Sequence, residues 1–153
     1  MPDEQPFGRK YLQNRIDKEF ALARHIGVVV ERADDSGLVL SAPLTRNAND
    51  KGTAFGGSLF SVAVLTGWAW LARYLDATHI AADAVIQEST IRYLVPVHGI
   101  LRATLEPPTT AHVEKFRKML QRRGRGRIRL IVKICQGRTL ATLFEGVFAA
   151  VMR

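Results

Sequence analysis

The sequence predicts an α+β domain in which an antiparallel sheet wraps around one long apolar helix. Residues 52–72 contain no charged side chain, and a helix that is apolar on all sides must be covered on all sides. Strand-like segments occur in pairs instead of alternating with helices, which excludes a doubly wound α/β fold. The 153 residues are enough for a single domain, 1–153, with its own hydrophobic core.

The first elements of this fold are a helix and two strands. Apolar residues recur at helical spacing in "YLQNRIDKEFALARH", which predicts a helix over about residues 11–25. The segments "VVVERA" and "GLVLSAPL" are typical of strands, and the "DDSG" between them is a turn signal. A polar loop, "TRNANDKGT", then leads into the apolar central helix, which we expect over about residues 56–75. Trp68 and Trp70 on that helix are expected in the core.

The second half consists mainly of strands. "AVIQESTIRYLVPV" and "GILRATLEP" predict one strand each, and the basic helix "TAHVEKFRKMLQRRG" is expected to end at Gly124 in a C-cap position. Apolar and polar residues alternate in "RIRLIVKIC", and "TLATLFEGVFAAVM" follows across "QGR", which predicts a hairpin. Because Cys135 lies in this strand, we expect it in the core.

Composition narrows the class of protein. The single cysteine cannot form an internal disulfide, and no Cys/His spacing suggests a metal site. The first residues lack the apolar segment of a signal peptide, so we expect a cytoplasmic protein. Residues 52–72 are long enough to consider a membrane span. Their Gly, Ser and Thr content and the amphipathic strands around them favour a buried helix instead.

The net charge of +8 is concentrated in one segment. Residues 111–129 contain eight Lys or Arg side chains against Glu114 alone. A concentrated basic patch predicts an acidic partner such as nucleic acid, a phosphorylated cofactor or an acidic protein, unless it is only a solvated face. Nucleic acid is disfavoured, because RNA binding requires aromatic side chains for base stacking and Phe116 is the one aromatic in this segment.

The segment "NDKGTAFGGS", residues 49–58, carries the main functional signal. A glycine-rich turn that opens a helix directs backbone N–H groups, with the helix dipole behind them, at a negatively charged group. With "IRYLVPVHG" after the helix, this stretch resembles the hot-dog fold thioesterases. In that superfamily an Asn precedes a His-Gly-Gly sequence at the start of the central helix. Asn49 matches the Asn, and Phe55, Gly56 and Gly57 occupy the positions of His-Gly-Gly.

More specifically, "NDKGTAFGGSLFSVAVLTGWAWL" together with "GRGRIRL" resembles the group of thioesterases named after the C-terminal domain of YiiD. The resemblance implies a hot-dog fold, at least a homodimer with the site between subunits, and an acyl thioester substrate. It implies no cofactor apart from the coenzyme A or phosphopantetheine that belongs to the substrate.

Two residues that the resemblance would lead us to expect in the site, an Asp and a His, are absent. In the phenylacetyl-CoA type of hot-dog thioesterase, an Asp lies seven positions after the second glycine, and this position is Val64 here. Phe55 replaces the His. A thioesterase of this sequence must therefore activate water by another group.

The resemblance suggests a role for each residue of the loop. The Gly57 N–H would donate to the thioester carbonyl oxygen while Gly56 leaves room for the substrate, although two glycines could also serve only tight packing. Asn49 would orient water or an enolate, or else form an Asx-turn. Thr53 would donate its hydroxyl to the same pocket, or satisfy the loop backbone. Phe55 and Ser58 are expected to contact the substrate.

Two carboxylates are candidates for the general base. Asp50 is nearest to the glycines, but its neighbour Lys51 could simply pair with it. Glu88 lies on the strand after the central helix, and strand alternation leaves open which face it occupies. Arg122, Arg123 and Arg125 are the candidates for binding an acidic carrier protein or the phosphates of coenzyme A.

The leading functional prediction is a thioesterase acting on acyl-coenzyme A or acyl carrier protein. The main alternative is a malonyl-carrier decarboxylase in the initiation of fatty acid synthesis, which requires an oxyanion hole but no base. A second alternative is a domain that binds acyl thioesters without turnover.

Overall fold

A six-stranded antiparallel sheet and one long helix form most of the molecule, which confirms the predicted fold class. The computed structural model describes residues 5–153. Its elements, in chain order, are α1 (Arg9–Glu19), α2 (Ala21–Ile26), β1 (Val29–Asp34), β2 (Gly37–Ala42), α3 (Gly56–Ala77), β3 (Ala82–Tyr93), β4 (Leu101–Leu105), α4 (Thr110–Arg123), β5 (Arg125–Gln136) and β6 (Thr139–Met152).

The strand order across the sheet is β1-β2-β4-β5-β6-β3, with every neighbouring pair antiparallel. β5 and β6 pair along their whole length, as a tight hairpin requires. β4 and β5, in contrast, pair only at Ala103–Ile134 and Thr104–Lys133 within the described chain. β3 forms one edge of the sheet, next to β6.

The predicted alternation of the strands is confirmed by burial. Ile128, Leu130, Val132 and Ile134 of β5 are all buried, whereas the residues between them are exposed. Cys135 falls on the exposed face, so its prediction as a core residue was wrong. Successive side chains of a strand point to opposite faces, so a strand that buries Ile134 exposes Cys135.

The predicted N-terminal helix over residues 11–25 is two helices separated at Phe20. Phe20 has an extended backbone, with φ −123° and ψ 100°, and its ring makes an edge contact with Trp68 at 4.7 Å between centroids. Breaking the helix at this point brings the aromatic side chain against α3. Trp70 is buried as predicted, whereas Trp68 is only half-buried.

The central helix packs closely on the sheet at Gly67. A Cβ atom placed on Gly67 would lie 2.4 Å from Cζ of Phe148, whose side chain is fully buried in β6. Glycine therefore sets the distance between α3 and the sheet at this point. None of the helices within residues 5–153 is long and apolar enough to cross a membrane.

We expect Gly67→Ala to destabilise the protein by about 1–3 kcal/mol, the usual effect of overpacking, although alanine favours the helix by up to about 1 kcal/mol. Urea denaturation would measure the change in the free energy of unfolding. Gly99→Ala is the matched control, because no heavy atom lies within 4 Å of the Cβ that it adds. An unchanged stability of Gly67→Ala, or a failure of Phe148→Leu to relieve its effect, would contradict this packing.

Candidate functional site

Asn49 organises the loop that precedes α3. Its side-chain amide donates to the Thr53 hydroxyl at 2.8 Å, and its side-chain oxygen accepts from the backbone N–H groups of Lys51 at 2.8 Å and Thr53 at 3.1 Å. The Asn49 N–H donates to the Thr53 carbonyl at 2.7 Å. This is the Asx-turn alternative that the sequence left open, and it joins Asn49 and Thr53 in one hydrogen-bonded unit.

Three hydrogen bonds fix the start of α3. The Phe55 N–H donates to the Asn47 carbonyl at 2.8 Å, and the Ala54 N–H donates to the Val97 carbonyl at 2.9 Å. The hydroxyl of Tyr93, at the end of β3, donates to the Gly56 carbonyl at 3.0 Å. The loop, the segment after β3 and the helix are therefore joined at one place.

Sequence reasoning missed Asn47 and Tyr93. Asn47 is only 2% exposed, and its amide donates to the carbonyls of Ile26 and Pro43. It ties the loop to the end of α2, so it supports the site without lying at its surface. The signal that could have identified Tyr93 is its place at the end of the strand in "IRYLVPVHG".

The first turn of α3 leaves two backbone donors open. The N–H groups of Ser58 and Leu59 both donate to the Phe55 carbonyl at 3.0 Å. Those of Gly56 and Gly57 have no acceptor within residues 5–153, as expected for the first residues of a helix. Gly57 is exposed, and the positive end of the helix dipole is centred here. This arrangement can accept an anion or a polarised carbonyl oxygen.

The Phe55 ring lies directly against Gly57. It is 56% exposed, and a Cβ atom on Gly57 would lie 2.4 Å from its Cε2 atom. The ring occupies the space that any side chain at position 57 would need. Phe55 and Gly57 therefore form one surface, with an aromatic wall next to the open N–H groups.

A half-exposed stripe of α3 continues from Gly57 along the helix. It comprises Phe60, Ser61, Val64 and Trp68, which share one face through their spacing of three or four residues. The sheet therefore leaves this side of the helix partly open. The Ser61 hydroxyl donates to the Gly57 carbonyl at 2.8 Å. Val64 lies on this stripe two turns from Gly57, and no member of the stripe is acidic.

The two candidate carboxylates occupy different surroundings. Asp50 forms an ion pair with Lys51 at 3.1 Å, and the two side chains are 79% and 76% exposed. Glu88 is exposed on the edge strand β3. A β-bulge at Gln87 precedes it, because Ile86 pairs with Phe148 and Glu88 pairs with the adjacent Val147. Simple alternation along β3 therefore fails at this residue, and the catalytic roles of Asp50 and Glu88 stay predictions.

Groups with displaced pKa values lie in other parts of the molecule. Burial and a hydrogen bond of 2.6 Å to Asp76 raise the pKa of the Tyr11 phenol. Hydrogen bonds from Arg102 hold the pKa of the Glu31 carboxyl below its ordinary value. Both interactions join separate elements of the fold, and neither lies at the start of α3.

The predicted phosphate-binding arginines lie far from Gly57 in the same chain. Arg122, Arg123 and Arg125 are exposed around Gly124, which ends α4 with φ 69° as predicted. The Gly124 carbonyl accepts from Met152 at the end of β6, beside the first residue of β3. These residues are therefore near the C-terminal end of α3, a helix about 33 Å long. Within residues 5–153, no cluster of three or more His, Cys, Asp or Glu side chains is placed to hold a metal ion.

Comparison with known families gives one match along nearly the whole chain. A family model described as a putative thioesterase, the C-terminal region of YiiD, matches residues 9–152. The match includes the loop, α3 and the basic segment together.

Solved structures with the same fold also match nearly the whole chain. A Chlorobaculum tepidum protein of unknown function is 29% identical, with a TM-score of 0.90 over 95% of this chain and 94% of that one. A putative thioesterase from Shewanella oneidensis is 25% identical, with a TM-score of 0.83 over 94% of this chain and 96% of that one. A probable thioesterase from Pseudomonas aeruginosa, at 17% identity, shares the fold with a TM-score of 0.81 over 94% of this chain and 95% of that one.

Proposed function

Because the chain belongs to the putative thioesterase family of the YiiD C-terminal region, we propose that it hydrolyses acyl thioesters of coenzyme A or acyl carrier protein. Family membership supports a thioester-processing enzyme. The observation that carries the proposal further is the pair of open N–H groups at Gly56 and Gly57, next to an apolar and half-exposed face of α3.

In the proposed reaction, the Gly57 N–H donates to the thioester carbonyl oxygen. As water attacks the carbonyl carbon, a base takes the proton of the water and an electron pair moves onto that oxygen. Collapse of the intermediate then expels the thiolate, which takes up a proton to give the free thiol. A preorganised backbone donor at the developing oxyanion is worth about 2.7–4 kcal/mol of transition-state stabilisation. The dipole of α3 adds to the effect in the same direction.

The acyl chain would follow the stripe of α3. Phe55 provides an aromatic wall at the thioester, and Phe60, Val64 and Trp68 continue an apolar surface along the helix. Asn49 and Thr53 position the loop, and Asp50 and Glu88 remain the two candidates for activating water. No cofactor is required beyond the coenzyme A or phosphopantetheine carried by the substrate. We also propose a cytoplasmic location.

The proposal also includes a homodimer that completes the site. The edge strand β3 and the segment after it expose apolar side chains, namely Val85, Ile86, Tyr93, Leu94 and Val95. Open strand edges with apolar side chains are avoided on a free surface, because they pair with other chains. A second copy on this edge would cover the open stripe of α3, and it could bring its own Arg122, Arg123 and Arg125 to the site.

One observation favours a second candidate reaction, the decarboxylation of a malonyl thioester. No carboxylate lies on the stripe, and Val64 stands at the position of the Asp in the phenylacetyl-CoA type that the sequence resembles, so α3 itself supplies no base. Decarboxylation breaks the bond to the leaving carbon dioxide, and its electrons form an enolate whose oxygen the Gly57 N–H would stabilise. Protonation of the enolate carbon then gives the acetyl thioester. The same donors serve both reactions.

Mass spectrometry of purified protein incubated with thioesters tests the proposal. Malonyl and long-chain acyl groups would be supplied on carrier protein and on coenzyme A. We expect free acid and free thiol from the long-chain substrates. We expect a lower rate for Asn49→Ala, because it removes four side-chain hydrogen bonds from the loop. Formation of acetyl thioester instead would identify a decarboxylase, and a lack of any turnover would leave a binding domain.

The base is tested with Asp50→Asn and Glu88→Gln, which remove one carboxylate each without changing its size. Both side chains are exposed, so each variant is expected to fold. The variant that lacks the base should lose about 10²–10⁴-fold in kcat, the usual contribution of a general base, whereas the other should keep the wild-type kcat. If both variants keep the wild-type kcat, neither carboxylate activates water.

A further inference from the structure

A groove of about 1160 Å³ lies between β4, β5 and α4, apart from the proposed thioester site. Small-molecule sites usually have volumes of about 300–1,000 Å³, so this groove has room for a larger ligand. The side chains that β5 turns toward it include Arg127, Ile131 and Lys133. They project from the face opposite to Ile128 and Leu130, which are buried in the core.

The groove exists because β4 and β5 separate. Within the described chain their pairing ends at Thr104–Lys133. The chain then continues through Pro107 and Pro108, which have no N–H to extend a ladder, and enters α4. As a result, β5 from Arg127 to Ile131 is paired only on the side of β6. Half of its backbone donors and acceptors over about 17 Å therefore face the groove.

The groove combines this open edge with apolar and basic surfaces. Ile100, Met119 and Ile131 contribute apolar contact area. Lys115, Arg127 and Lys133 have no ion-pair partner in the part of the chain described by the structure, residues 5–153.

Two further arginines of the lining are already neutralised, because Arg102 pairs with Glu31 at 2.7 Å and Arg129 pairs with Glu145 at 3.3 Å. Glu106 is the acidic side chain of the lining. Three cations without ion-pair partners among the described residues therefore stand against this one carboxylate, and the net charge of the groove is positive.

We infer that this groove binds an extended acidic peptide segment of a partner protein, which adds to the open edge of β5 as a strand. The backbone of the peptide would pair with residues 127–131, and every second side chain of the peptide would lie on the face that carries Arg127, Ile131 and Lys133. A phosphorylated small molecule would use the cations but would leave the strand edge unpaired. The combination of an open edge with unpaired cations therefore favours a peptide.

A library of peptides of about eight residues tests the inference. Its members carry Glu or Asp at alternate positions and apolar residues at the others, and their binding is measured by fluorescence anisotropy. We expect binders whose affinity falls at least about tenfold in Arg127→Glu and in Lys133→Glu. Lys10→Glu and Lys18→Glu are matched controls with the same change of charge on the exposed side of α1, outside the groove, and they should bind as the wild type does.

Strand addition is tested on the peptide itself, which avoids any effect of substitution on protein folding. Methylation of the backbone nitrogens that face β5, which are every second nitrogen of the best binder, should abolish its binding. It removes the main-chain donors that would pair with β5. Equal binding of the methylated peptide would overturn strand addition. A library without binders would also overturn the inference. So would a peptide whose binding is abolished by inorganic pyrophosphate but is unchanged in Arg127→Glu.

Discussion

Gly57→Pro is expected to lower kcat for thioester turnover by about 10²–10³ relative to Gly57→Ala, the usual effect of removing one oxyanion donor. Proline has no backbone N–H, so it deletes the proposed donor at the start of α3. Proline is tolerated in the first turn of a helix, where the N–H has no intrahelical partner. The preceding residue is Gly56, which has no Cβ to clash with the proline ring.

Gly57→Ala is the appropriate reference instead of the wild type. Both variants add a Cβ atom that must displace the Phe55 ring, since that ring lies 2.4 Å from the added position. Phe55 is more than half exposed and can turn away, so neither variant should lose much stability. Only the proline variant also loses the N–H. The ratio of the two rates therefore isolates the hydrogen-bond donor from the loss of space.

The measurement is steady-state kinetics on whichever thioester the protein turns over, accompanied by thermal unfolding of both variants. KM should change by a similar factor in the two variants, because both move Phe55, whereas kcat should separate them. Equal kcat values for the alanine and proline variants would show that the Gly57 N–H does not stabilise the transition state. The Gly56 N–H would then be the remaining open donor of this turn.

The elements of the fold that depend on local patterns could be predicted from the sequence. The alternation in β5 and the uncharged run of α3 each report burial directly, because strand and helix periods determine which face a side chain occupies. The end of α4 could be predicted from Gly124 alone, because glycine readily takes the left-handed conformation that ends a helix, and Gly124 takes it here.

Features that depend on tertiary contacts could not be predicted. The break at Phe20 follows from its contact with Trp68, 48 positions away in the chain. The bulge at Gln87 depends on the register with β6. Tyr93 reaches Gly56 only because β3 ends beside the start of α3. No local pattern encodes these contacts, and they determine which surfaces of the candidate site remain open.

A substitution on the edge strand β3 is expected to have the second large effect, on dimerisation and on turnover. We expect Ile86→Lys to convert the proposed homodimer into a monomer and to reduce thioester turnover with it. Ile86 is 39% exposed on the edge strand, next to the exposed Val85. In a dimer formed across this edge, the new ammonium group would be removed from water without a partner, and unpaired charges in an interface cost about 2–5 kcal/mol. Charged residues on an edge also oppose strand pairing directly.

Leu22→Lys is the matched control, because Leu22 is a similarly exposed apolar residue on α2, away from β3. Light scattering after size exclusion would give the mass of each variant, and the same samples would be assayed for turnover. The control should remain dimeric and active. If Ile86→Lys is a monomer with full turnover, one chain contains the whole site, and the open stripe of α3 must bind substrate without a second copy. If it remains a dimer, the subunits associate through another surface, and the exposed edge of β3 needs a different explanation.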